Sequence, residues 1–158
     1  MNILFVCTGN TCRSSMAEGI FKNMLKNNNI DNINVSSAGI SAFEGDRANE
    51  KAINVLKKHD IDISNHRARQ LTNSIIKSSD LILAMTDGHK RSIQKYSPES
   101  SNKVFTLKEY AGKSIGENMD NMNLNIDDPY GMDYYVYEFV MEEIKNEIEK
   151  IIRTIDRQ

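Results

Sequence analysis

Cysteine is scarce in this chain: two in 158 residues, Cys7 and Cys12. Two cysteines so close together cannot staple a disulfide scaffold, and a structural zinc site built mainly from cysteine is excluded. The three histidines, His59, His66 and His89, lack metal-ligand spacing and read as surface or packing residues. No metal or other cofactor is expected. An excess of one charge sign is also absent, with 20 Lys+Arg against 22 Asp+Glu and a net charge of −2. That balance argues against a nucleic-acid partner, which normally calls for a basic excess. Long apolar runs are missing too. Ile3–Cys7 and Leu81–Met85 reach only five residues each, too short for a membrane span. No charged segment or cleavage site precedes the first of them, so the expectation is a cytoplasmic protein with reduced thiols and no membrane partner. The composition that remains, 39% hydrophobic and 27% charged, is that of a globular chain rather than a disordered one. The length suits a single domain over residues 1–158.

Apolar patterning alternates between strand and helix. Ile3-Leu4-Phe5-Val6 is a continuous apolar run that predicts a buried parallel strand. Met16, Ile20 and Met24 then share a helical face that ends at Asn27-Asn28-Asn29. A second strand is expected over Ile33–Ile40, a helix over Ala48–Lys58 and a short helix over Leu71–Ser78. Leu81–Met85 reads as a third buried strand, Gly88–Tyr96 as a helix stopped before Pro98, and Val104–Leu107 as a fourth strand. Gly112–Pro129 is polar and long for a connection, as functional loops often are. Tyr137, Val140, Met141, Ile144, Ile148, Ile151 and Ile152 mark a long amphipathic helix. Strands alternating with helices predict an α/β layered domain with a parallel sheet.

The chemistry concentrates in Cys7-Thr8-Gly9-Asn10-Thr11-Cys12-Arg13-Ser14, between the first strand and the first helix. Ligands of open α/β sheets bind at the carboxyl ends of strands. A loop closing from strand to helix points several backbone N–H groups into one concavity, which binds an oxyanion. Gly9 and Asn10 tolerate the left-handed backbone of such a nest. Arg13 adds a planar fork matched to two phosphate oxygens. The same positive field favours a thiolate at Cys7, the form that attacks. Ser14 is placed to donate a hydrogen bond to that sulfur.

With these residues in hand, the sequence resembles the low-molecular-weight protein tyrosine phosphatase family. The match runs through Cys7–Ser14, Met16-Ala17-Glu18, Ser37-Ala38-Gly39, Arg67-Ala68-Arg69-Gln70-Leu71, Asp80–Met85 and Asp128-Pro129-Tyr130, in order along nearly the whole chain. The resemblance implies a three-layer α/β sandwich, with a four-stranded parallel sheet of order 2-1-3-4 and helices on both faces. It implies Cys7 as nucleophile, Arg13 as phosphate-binding arginine, and Thr8–Arg13 as the phosphate loop. Asn10, Ser14 and Ser37 become loop supports, and Asp128 the general acid. From the residues alone, Asp128 is an acidic residue held out of helical conformation by Pro129, at the end of a polar loop. Asp127 is the alternative acid; the family pattern favours the residue directly before proline. Phosphoryl transfer to Cys7 needs such an acid for the departing group, and the same carboxylate can then activate water.

Thr11 bears on the substrate. Tyrosine-specific members usually carry an apolar residue here, and the form with threonine resembles the bacterial protein arginine phosphatase branch. A threonine hydroxyl can bond a guanidinium, which an apolar neighbour would leave unpaired. The expected activity is therefore hydrolysis of phosphoarginine on proteins through a cysteinyl-phosphate. The alternatives are a protein-tyrosine phosphatase and an arsenate reductase. Phe43 and Tyr130 are candidate pocket walls for either kind of side chain. The reductase needs further relay cysteines, and none follows Cys12. Cys12 is a candidate for a reversible disulfide with Cys7 or a small buried loop residue. Phosphorylated proteins are the expected partners, and the chain is expected to be a monomer or weak dimer.

Overall fold

A computed structural model describes residues 1–155. Four parallel strands, β1 (Asn2–Cys7), β2 (Asn34–Gly39), β3 (Leu81–Ala84) and β4 (Val104–Thr106), form one sheet in the order β2-β1-β3-β4. The first strand is central because its Ile3–Val6 run is apolar on both sides. Ile3, Phe5 and Cys7 face one layer; Leu4 and Val6 face the other. All five are buried.

Helices α1 (Arg13–Asn27), α2 (Glu50–Lys57), α5 (Leu107–Ser114) and α6 (Tyr134–Ile155) cover the Phe5 face. The long α6 lays Tyr137, Val140, Met141, Ile144, Ile148, Ile151 and Ile152 onto it, at the spacing of one helical stripe. Each such side chain contributes about 1.5–3 kcal/mol when fully buried. The Leu4 face is covered by α3 (Asn73–Ser78) and α4 (Asp87–Tyr96), through Ile76 and Ile93. This is the layered parallel architecture expected from the sequence.

Differences are local. The Ala48–Lys58 pattern becomes a helix only from Glu50, because the Asn49 side chain caps it by accepting from Lys51 N–H. Leu107 belongs to α5 rather than to the fourth strand, and α5 extends to Ser114, inside the stretch expected to be irregular. Its start is fixed by a capping box between Thr106 and Glu109. A 3₁₀ turn over Pro98–Lys103 links α4 to β4. No helix among the described residues is long and apolar enough to cross a membrane.

Candidate active site

The cleft lies at the carboxyl end of β1, where the chain turns from Cys7 into α1. This helix differs from its neighbours. Side chains cap α2, α3, α4 and α5, whereas the N-terminus of α1 at Cys12 has no side-chain cap and no acidic residue in its first turn. Its N–H groups and the positive end of its dipole are left for a ligand.

Four carbonyls of this segment are engaged by other parts of the chain. Cys7 O accepts from Ile40 N at 3.0 Å, Thr8 O from Ser41 N at 2.9 Å and Thr11 O from Asn49 N at 2.8 Å. Asn10 O accepts from His66 Nε2 at 2.7 Å. None of the N–H groups of Thr8–Cys12 has an acceptor among the described residues. Unpaired donors are rare in folded chains, and successive free amides at the turn into a helix, with these four carbonyls engaged elsewhere, form a concavity suited to an oxyanion. Asn10 holds the bend with φ of 59°. Close approach of β2 is possible only because residue 39 is glycine. A Cβ there would sit 2.6 Å from Thr8 O and 3.0 Å from Asn10 N.

Beneath the loop runs a directional chain of hydrogen bonds. Asn10 Oδ1 accepts from Arg69 N at 3.0 Å, which fixes the amide's orientation. Its NH₂ then donates to Ser14 Oγ and Ser37 Oγ, both at 2.8 Å. Ser37 Oγ in turn donates to Glu18 Oε1 at 3.3 Å. Ser14 Oγ lies 2.9 Å from Cys7 Sγ. Burial opposes ionisation of Glu18, but His66, Lys22 and Ser37 hold its carboxyl below the usual range. Arg69 Nε also donates to Ser37 O at 2.9 Å.

Arg13 is almost wholly buried. Its Nη1 donates to Ile126 O at 2.9 Å, and its Nη2 lies 3.6 Å from Asp128 Oδ2. Nε has no partner, so its N–H is left for an anion. Ile126 is anchored further by its buried side chain and by its N–H donating to Met85 O at 2.8 Å. Asp128 follows two residues later, with Oδ1 accepting from Tyr130 N at 3.1 Å.

The resulting cleft, of about 360 Å³, is lined by Cys7, Thr8, Gly9, Thr11, Cys12, Arg13, Ser41, Phe43, Asp46, Asp128 and Tyr130. Asp128 lines it and Asp127 does not. Phe43 and Tyr130 are strongly exposed at its mouth. Asn10 is buried below the loop, in the support network rather than the cleft wall. Cys12 Sγ lies 3.4 Å from Tyr137 Oη. Burial pushes both the Cys12 thiol and the Tyr137 hydroxyl up, so both groups stay neutral there. Both cysteines are free and buried.

The reading of the histidines as surface or packing residues needs correction for two of them. His66 supports the loop through Asn10 O and lies 3.8 Å from Glu18. His89 Nε2 pairs with Thr8 Oγ1 at 2.8 Å. Burial, with help from the Arg13 charge and against Asp128, pushes the His89 imidazole down to about 4. No local sequence signal marks either residue, since their partners lie 56 and 81 positions away. Asp46 was missed for a different reason: an acidic residue in a polar turn looks like ordinary surface.

Chemically, the site combines a thiol, an amide cradle, a guanidinium fork and an exposed carboxylate around one point. The sequence matches the family model "Low molecular weight phosphotyrosine protein phosphatase" over residues 2–158. It is 38% identical to a protein-arginine-phosphatase of Bacillus subtilis, covering 100% of this chain and 96% of that one. A probable low molecular weight protein-tyrosine-phosphatase, EpsP, of Ralstonia solanacearum is 39% identical, with 93% and 90% covered. Among solved structures, an arginine phosphatase variant with a phosphorylated active-site serine superposes with a TM-score of 0.89. That variant is 34% identical, with 100% of this chain and 97% of that one covered. By its full-length match and its cradle at the end of β1, the chain belongs to the low-molecular-weight phosphotyrosine protein phosphatase family and is a phosphatase.

Proposed function

We propose that this phosphatase hydrolyses phosphoarginine residues of proteins. The observation that carries the reading is Thr11, which brings a hydroxyl to the cleft wall where tyrosine-specific members usually present an apolar side chain. A hydroxyl and the Asp128 carboxylate are polar partners suited to a guanidinium, which apolar walls would leave unsatisfied.

In the proposed mechanism the loop amides and Arg13 hold the phosphoryl oxygens. The Cys7 thiolate attacks phosphorus in line, the S–P bond forms and the P–N bond breaks. Asp128 gives its proton to the departing guanidinium nitrogen. The Asp128 carboxylate then takes a proton from water, whose oxygen attacks phosphorus. The S–P bond breaks and inorganic phosphate leaves. Preorganised donors around the developing charge account for much of such an acceleration. Asn10, Ser14 and Ser37 keep the loop and sulfur in place. The structural relative with a phosphorylated active-site serine supports phosphoryl transfer to the nucleophile position. The reading further takes residues 1–158 as one domain, acting in the cytoplasm as a monomer or weak dimer.

A protein-tyrosine phosphatase is the second reading, favoured by the exposed Phe43 and Tyr130, which suit an aromatic ring. The two relatives, one of each activity, are about equally similar to this chain. Steady-state kinetics on peptides identical except for phosphoarginine or phosphotyrosine decide between them. The expected result is a higher kcat/KM for phosphoarginine; a preference for phosphotyrosine overturns the reading.

A further inference from the structure

One carboxylate in the cleft is unused by the hydrolysis. Asp46 lines the same wall space as Cys7, Arg13, Thr11 and Asp128. Its backbone is pinned on both sides. Gly45 N donates to Ala68 O at 2.9 Å, Ala68 N to Asp46 O at 2.7 Å, and Asp46 N to Phe43 O at 3.1 Å. The adjoining Arg47 and Arg67 form an antiparallel bridge. Residue 46 is therefore held at the mouth rather than carried on a loose tip.

The other carboxylates of the site have permanently cationic neighbours within the chain: Asp128 has Arg13 at 3.6 Å and Glu18 has Lys22 at 3.5 Å. Among the described residues, no ion pair includes Asp46. A lone negative charge beside an anion cradle repels every phosphoryl dianion that enters. The repulsion is offset only when the substrate carries a positive charge to the same wall. With phosphorus at Cys7, the group attached to it projects toward the mouth formed by Phe43, Asp46 and Tyr130.

We propose that Asp46 is a specificity-determining residue, whose carboxylate receives a cationic group adjoining the phosphoryl group and disfavours neutral aryl phosphates. The guanidinium of phosphoarginine is the cation that fits. The identity of that cation rests on the proposed function; the sign of the charge effect does not.

Asp46→Asn, which keeps size and backbone contacts, separates the two. Its KM is compared with that of the unaltered chain on a phosphoarginine peptide, a phosphotyrosine peptide, and phenyl phosphates bearing para-trimethylammonium or para-tert-butyl. The last two have nearly the same shape and differ in charge. The substitution should raise KM about three- to fivefold for the two cationic substrates and lower it for the two neutral ones. Added salt should shrink both effects. Changes of the same sign on all four substrates, or no change, overturn the role of Asp46. Absence of phosphoarginine hydrolysis by the unaltered chain overturns the substrate assignment instead, and the paired phenyl phosphates still decide the charge effect.

Discussion

Ser14 Oγ lies 2.9 Å from Cys7 Sγ. Asn10 donates to the same oxygen at 2.8 Å, and toward a Cys7 thiolate, which can only accept, the Ser14 hydroxyl is the donor. A hydrogen bond to a charged group is worth about 1.5–3 kcal/mol. Ser14→Ala should therefore slow turnover by about 10- to 100-fold, with release of phosphate from sulfur most affected. Burst-phase kinetics check this; an unchanged ratio of burst to steady state refutes it. Cys7→Ser should bind phosphopeptide and not turn over.

Asp128 gives a prediction that depends on the leaving group. Asp128→Ala should lower kcat by about 10²- to 10⁴-fold on substrates whose departing group needs a proton. The loss should shrink on aryl phosphates with strongly acidic phenols. A series of substituted phenyl phosphates measures the slope, and equal losses across the series count against Asp128 as the acid.

Thr11→Ile should move preference toward phosphotyrosine. On the proposed function, replacing the hydroxyl with an apolar side chain would remove a partner for the substrate guanidinium and add a surface for a ring. The ratio of kcat/KM values on the paired peptides should fall at least about tenfold, the scale of one lost polar contact. A constant ratio leaves Thr11 without a selective role.

His89 makes stability depend on acid. Its imidazole is pushed down to about 4 by burial and Arg13, against about 6.5 in an unfolded chain. Between those values the unfolded chain binds more protons, so the contribution is complete above about pH 6.5 and is lost as pH falls toward 4. His89→Gln should flatten this slope. Urea midpoints at about pH 7, 6 and 5 provide the measurement, and equal slopes for both proteins rule the explanation out.

Gly39→Ala tests the approach of β2 to the cradle. The added methyl meets Thr8 O and Asn10 N in a place where backbone cannot yield cheaply. A loss of about 1–3 kcal/mol in unfolding free energy is expected, together with weaker vanadate inhibition. Unaltered inhibition would mean that the loop tolerates the shift.

Much of this molecule can be read from its amino acids because the signals are local. The apolar Ile3–Val6 run announces the central strand, and Cys7 through Ser14 carry the cradle within eight consecutive residues. The Asn10–Ser14–Ser37 support came through family resemblance, since no spacing rule joins residue 37 to residue 10. Helix α5 had a readable start, Thr106 followed three positions later by Glu109, that was overshadowed by the apolar Val104–Leu107 run. His66, His89 and Asp46 come to the site from segments whose sequence says nothing of the loop they meet. Only the packing of β2, α4 and the 45–68 contact brings them there.

Arg13 ties the cradle to the segment that carries Asp128, by holding Ile126 O and lying beside the carboxylate. Its replacement should therefore weaken anion binding and the placement of Asp128 together. The energetic losses of Arg13 and Asp128 variants should be strongly non-additive, with the double variant scarcely worse than the Arg13 variant alone. A phosphate analogue that tightens the grip of Arg13 should, by the same tether, slow amide hydrogen exchange around Ile126, a residue that does not line the cleft.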